Sequence, residues 1–237
     1  MGKNKKKNNG NKNSQNIKKE ILSKVNKFFK VYKENLENKD FLLIYNNTDK
    51  QSLISVRFLK KNFFHLTGLS IGEHSISPYD FYKKLENKTL NVNDIELGKF
   101  TEKKLNVSLD MIKIFKEQSK IGKYDPNNSY QKKLAIDNGI GLSIPNSNMV
   151  LGIRFISGKN TVPVSLLQQK LENITLKETI ADIVCMFEKD VEEEQYNKVV
   201  YNTMDIQEIL KDNKELEKLL TADLLKEVFS KEENRVI

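Results

Sequence analysis

Between Ile17 and Leu36 the apolar residues Ile21, Val25, Phe28, Phe29, Tyr32 and Leu36 recur at three- and four-residue spacing, which predicts one amphipathic helix of about five turns. The pattern then changes to short apolar runs. Phe41 to Tyr45 and Leu53 to Phe58 read as strands, joined by the polar Asn46-Asn47-Thr48-Asp49 in a hairpin. Ser77 followed by Pro78 is the signature of an N-cap and first helical position, opening a helix through Leu85. Thr101 is expected to cap a longer helix running to about Ile121, with Gly122 as its stop. After the turn sequence Asp125-Pro126-Asn127-Asn128, strands are expected at Lys133 to Ile136, Ile140 to Ile144 and Met149 to Ile156. Their punctuation is Asn138-Gly139 and Pro145-Asn146-Ser147-Asn148. Val164 to Leu171 reads as a short helix or turn and Thr179 to Phe187 as another strand. From Glu192 to Glu233 the spacing of Ile206, Ile209, Leu210, Leu216, Leu219, Leu220, Leu224 and Leu225 is helical.

Composition narrows the class. With 38% hydrophobic residues in 237, there is enough apolar material for a core. No apolar run approaches the roughly 20 residues that span a bilayer, and the amino terminus lacks a secretory signal, so a cytoplasmic protein without a membrane partner is expected. The single Cys185 allows no internal disulfide. It lies in the apolar run Ile183 to Phe187, where a buried small hydrophobe is expected, and with His65 and His74 it offers too few ligands for a closed zinc site. Neither a metal nor a cofactor is expected.

The net charge of +8 is unevenly placed. Residues 1 to 19 carry seven Lys and no acid, residues 20 to 188 net +6, and residues 189 to 237 net −5. Residues 1–16 form a Lys/Asn tail with no apolar residue after Met1. The tail is expected to be disordered, either a polybasic arm that follows phosphates or a solubilising extension. The division expected is therefore this tail, an α+β body at 17–190 and an acidic helical region at 191–237.

Two predicted strands share an apolar-Arg-Phe sequence, Val56-Arg57-Phe58 and Ile153-Arg154-Phe155. With a side-chain period of two, each Arg faces away from its apolar neighbours. Only three of the 40 basic residues are Arg, which makes these two conspicuous. Each could hold a phosphate through the guanidinium fork, or cover a sheet face and pair with an acid.

The stretch Asn62-Phe63-Phe64-His65-Leu66-Thr67-Gly68, reached through the strand Leu53 to Phe58, resembles the signature of a phage and mobile-element family in the barnase, EndoU, colicin and RelE-like nuclease superfamily. Val162-Pro163-Val164-Ser165-Leu166-Leu167, the strand Ile183 to Phe187, Tyr196 and Tyr201 resemble its carboxyl segment, so the similarity covers about 38 to 210. The resemblance implies an α+β fold with N-terminal helices packed on a curved antiparallel sheet and, here, a helical C-terminal region. It also implies a metal-independent endoribonuclease that cuts RNA by 2′-OH transesterification.

Such chemistry needs a base for the 2′-OH, cations for the phosphate oxygens and an acid for the departing oxygen. His65 is the first acid/base candidate, set against a place at the edge of the core; His74 is the second imidazole. Arg57 and Arg154 would bind phosphate, with Ser157 or Ser165 offering a hydroxyl. Lys60, Lys61, Lys103 and Lys104 would add contacts to RNA, either tRNA or mRNA. The competing expectation is a non-catalytic phage or mobile-element protein that binds and inhibits a host nucleoprotein defence complex, as anti-CRISPR proteins do.

Overall fold

A computed structural model describes residues 5–47, 50–70, 76–128, 135–144 and 147–230. The chain opens with helix α1, Lys5–Asn35. Its apolar stripe is where the spacing put it, with Ile21, Val25, Phe28 and Tyr32 buried. The helix begins inside the segment expected to be a disordered tail. Extending a helix already docked by its apolar face adds residues without a new nucleation cost.

A hairpin follows: β1 (Lys39–Asn47) pairs antiparallel with β2 (Lys50–Arg57), from Asp40↔Arg57 to Asn47↔Lys50. The next stretch is short and largely helical. A turn at Lys60–Asn62 leads to α2 (Phe63–Thr67), and the strands β3 (Leu69–Ser70) and β4 (Glu96–Leu97) flank α3 (Pro78–Glu86). The expected cap of α3 is present, with Ser77 Oγ accepting from the Asp80 N–H at 3.1 Å.

The helix expected from Thr101 to Ile121 is shorter. α4 spans Thr101–Ser108, a 3-10 turn covers Met111–Phe115, and Lys120–Lys123 is strand β5. Gly122 is thus a strand residue, and the physical reason is packing: a Cβ there would lie 3.0 Å from the Thr175 side chain. Asn138-Gly139 is likewise no turn but the start of β6 (Asn138–Ile144), which pairs with β7 (Ser147–Ser157). Lys133 and Leu134, expected to begin a strand, lie outside the described residues, and Ile136 is not in a strand. Val164 to Leu167, expected to be helix or turn, belongs to β8 (Asn160–Leu167). β9 (Ala181–Asp190) matches the expected strand. Within the region expected to be helical, β10 (Lys198–Asn202) precedes α5 (Ile206–Asp212), α6 (Lys214–Glu217) and α7 (Ala222–Ser230).

The strand order β1-β2-β8-β7-β6-β5-β9-β10 closes on itself, because β9 also pairs with β1 along most of its length. Pairing is antiparallel except at β2–β8, a two-pair parallel junction at Ser55↔Asn160 and Val56↔Thr161. Side chains reinforce that seam: Ser55 Oγ donates to Asn160 Oδ1 at 2.9 Å, and Thr161 Oγ1 donates to the Ser55 carbonyl at 2.6 Å.

Alternation along the strands sorts the core. Phe41, Ile54, Ile121, Ile140, Leu151, Leu166 and Ile183 join the residues of α1 to α4 and the Met111–Phe115 turn in one inner cluster. On the outer side, Leu42, Ile44, Val184, Cys185 and Phe187 pack against Ile209, Leu216, Leu220 and Leu224 of the C-terminal helical region. Burial pushes the Cys185 thiol up to about 12, so it behaves as the buried hydrophobe expected.

A third cluster covers the outside of β5 to β7. There Gly122, Gly139 and Gly152 lie side by side across three strands. Added Cβ atoms at Gly139 and Gly152 would come within 2.9 Å of Val150 and 2.7 Å of Ile136, respectively. The glycine row lets covering side chains press onto the backbone where the sheet curls.

Candidate active site

The resemblance motif lies on the helical side of the sheet, and each of its residues has a visible task. Asn62 Oδ1 accepts the Leu59 N–H at 2.9 Å, while its amide donates to the Pro163 carbonyl of β8 at 3.4 Å, tying the start of α2 to the sheet. Phe63, Phe64 and Leu66 are buried. Phe63 packs at 5.0 Å centroid separation against both Phe28 and Tyr32 of α1. His65 is the residue of this short helix that turns outward and is exposed.

Thr67 Oγ1 donates to the Phe64 carbonyl at 2.7 Å and accepts the Leu69 N–H at 3.2 Å, ending the helix. Gly68 follows in the left-handed region at φ 73°. A Cβ there would stand 2.8 Å from Lys104 Cδ and 3.1 Å from Thr101 Cα. Its carbonyl accepts from Thr101 Oγ1 at 2.7 Å, which binds the end of α2 to the start of α4.

Lys104, expected to contact RNA from the surface, is 8% exposed. Its ammonium donates to the His65 carbonyl at 3.0 Å and to Ser165 Oγ at 2.9 Å. Among the described residues no carboxylate pairs with it, and burial alone lowers its pKa to about 8. Ser165 is fully buried and serves as the other end of this clamp.

The imidazole of His65 has the Phe64 ring at 5.9 Å on one side. Desolvation first, then the charges of Lys104 and Arg154, hold its pKa below the ordinary imidazole value. The shift favours the uncharged ring. Arg154 is exposed on β7, opposite Val162 of β8. Ser157 is exposed at the end of the same strand, paired with Asn160, and Phe155 beside Arg154 is 45% exposed.

Arg57 does not join this group. Its Nε and Nη2 donate to Asp40 Oδ2 at 3.0 and 2.9 Å, and Tyr196 donates to Asp40 Oδ1 at 3.1 Å. Asp40 is 1% exposed, and Tyr196 belongs to the outer cluster with the C-terminal helices. Arg57 therefore completes a buried network on the other side of the sheet.

Lys60 is also engaged, at 3.3 Å from Glu37 and 3.1 Å from Glu86. Lys61, in the turn before α2, and Lys103, on α4, are exposed. His74 lies outside the described residues. The structure joins His65, Lys104 and Ser165 through hydrogen bonds, places Arg154 near enough for its charge to act on the imidazole, and leaves out Arg57 and Lys60.

Sequence reading missed the Asp40–Tyr196 partnership, whose members are 156 positions apart. It also missed the burial of Lys104, although a signal existed. Lys104 sits on the helical face shared by Thr101, Leu105 and Ser108, all buried.

A curled, mostly antiparallel sheet with helices on its inner side makes this an α+β protein. The chain belongs to the phage-Barnase-EndoU-ColicinE5/D-RelE like nuclease4 family, whose model matches residues 24–205. That span runs from within α1 to the Asp205 cap of α5, and so takes in the ten strands of the described residues and the whole candidate site. No curated protein and no solved structure matches the chain. Among the described residues no helix is long and apolar enough to cross a membrane.

Proposed function

We propose that the protein is a metal-independent endoribonuclease of a phage or mobile element, with His65 as its general base. The observation that supports this best is the combination at His65: an outward imidazole on a rigidly braced turn, its pKa lowered by burial and by the charges of Lys104 and Arg154. A neutral imidazole can take the proton of a ribose 2′-OH. The 2′ oxygen then bonds to phosphorus, the bond to the 5′ oxygen breaks as that oxygen takes a proton from water, and a 2′,3′-cyclic phosphate remains. Arg154 neutralises the non-bridging oxygens through its planar fork. Exposed Lys61 and Lys103 attract the polyanion. Arg57, held by Asp40, has no part in the chemistry.

The test is incubation of purified protein with a mixed RNA pool in excess chelator. Shortened RNA with 2′,3′-cyclic phosphate ends is expected, and His65→Ala should abolish it while circular dichroism and the melting transition stay unchanged. An intact pool after prolonged incubation would overturn the assignment.

A further inference from the structure

We propose that Lys104 is the positioning residue of the His65 base: its buried ammonium clamps the carbonyl of the turn that carries the imidazole and sets a fixed positive charge beside the ring. The inference rests on the endoribonuclease reading for its consequence in catalysis, though not for its physical content.

The geometry is specific. A surface lysine that follows phosphates has no reason to be enclosed, and enclosing an ammonium without a carboxylate is costly. Here the stem of Lys104 runs against Gly68, so closely that a methyl group on Gly68 would collide with it at 2.8 Å. The Nζ ends on two neutral acceptors, the His65 carbonyl at 3.0 Å and Ser165 Oγ at 2.9 Å. One comes from α2 and the other from β8, and Lys104 itself is on α4. The ammonium therefore joins three elements at the residue that carries the imidazole. Thr101, one turn earlier on α4, holds the Gly68 carbonyl at 2.7 Å and fixes the same turn from its other side.

The charges that act on the His65 ring are those of Lys104 on α4 and Arg154 on β7. Among the described residues α1, α3 and β8 add none that shifts it. The two positive charges disfavour the imidazolium, so the ring stays a base to lower pH than a free histidine would. Desolvation acts in the same direction and is the larger effect. Lys104 supplies the part that a single substitution can remove.

The experiment follows the imidazole of His65 by NMR titration of the full chain, comparing wild type with Lys104→Met, which keeps an apolar stem against Gly68 and removes the charge. The chain has two histidines, and His65→Gln assigns the resonance. The His65 midpoint is expected to move to higher pH in Lys104→Met. In RNA cleavage the acidic limb of kcat/KM should move with it, so that the variant loses several-fold more activity at about pH 6 than at about pH 8. Ser165→Ala keeps the charge and should leave the midpoint unchanged, whatever it does to stability.

An unchanged midpoint in a folded Lys104→Met protein would overturn the proposal. Should that variant fail to fold, Lys104→Gln, which keeps a donor for the His65 carbonyl and removes the charge, decides: an unchanged midpoint there is equally fatal. If the midpoint shifts but RNA is never cut, the positioning role stands and the nuclease reading falls. If RNA is cut and the midpoint does not move, the reverse holds.

Discussion

Two strands of this protein carry the same apolar-Arg-Phe sequence, and their arginines have opposite fates. Arg57 lies opposite Asp40 in the β1–β2 ladder, bonds to its carboxylate, and shares it with Tyr196 from beyond β9. Arg154 lies opposite Val162, exposed, with its charge felt by the imidazole of His65. The strand pattern is the same; the cross-strand partner differs. An arginine facing an aspartate becomes part of the framework, while one facing a valine stays available to a ligand.

The contrast can be broken most severely at the base. His65→Ala is expected to reduce RNA cleavage by about 10² to 10⁴-fold, the usual range for a general base, while stability changes by no more than about 0.5 kcal/mol because the side chain is exposed. Initial rates and denaturant unfolding measure the two. The opposite result is expected at the framework arginine. Asp40→Ala removes a buried acceptor from both Arg57 and Tyr196 and should cost about 3 kcal/mol of stability, read from the unfolding midpoint, with the rate per folded molecule preserved. A fall in that rate at full folding would place the Asp40 network in the chemistry after all.

Smaller effects sharpen the comparison. Arg154→Gln should weaken RNA binding about tenfold and lower the salt slope by about one, whereas Arg57→Gln should leave both unchanged. Titration of affinity against salt distinguishes them. The pH dependence has a definite sign. Because the folded imidazole holds its proton less tightly than an unfolded one, cleavage should rise with pH through a midpoint below about 6.5. The same shift makes His65 cost stability as pH falls from about 6.5 toward its folded midpoint, with no contribution above. Smallest of all, Lys61→Ala and Lys103→Ala should each weaken RNA binding about twofold.

Several elements could be read from the residues because local physics controls them. The stripe of α1, the β1–β2 hairpin and the Ser77-Pro78 start of α3 depend on spacing, turn polarity and capping within a few positions. The stretch from Lys120 to Gly139 misled for a nonlocal reason. Gly122 and Gly139 are glycine because Thr175, Leu171 and Val150 approach their backbones from elsewhere in the chain, not because a helix stops or a turn forms. Likewise His65 was visible as a candidate through its motif. Lys104, read as one of several surface cations, owes its burial to Gly68 and Ser165, which come from distant segments.

What the sequence by itself determined is the class of the fold, the family and the candidate base. These rest on periodicity, caps and the Asn62-Phe63-Phe64-His65-Leu66-Thr67-Gly68 motif, all of which are short-range patterns. Which arginine is tied to an acid, which lysine is buried and which way the histidine's pKa moves were settled in three dimensions. Those properties depend on partners 17 to 156 positions away, and burial and charge proximity act through space and not along the chain.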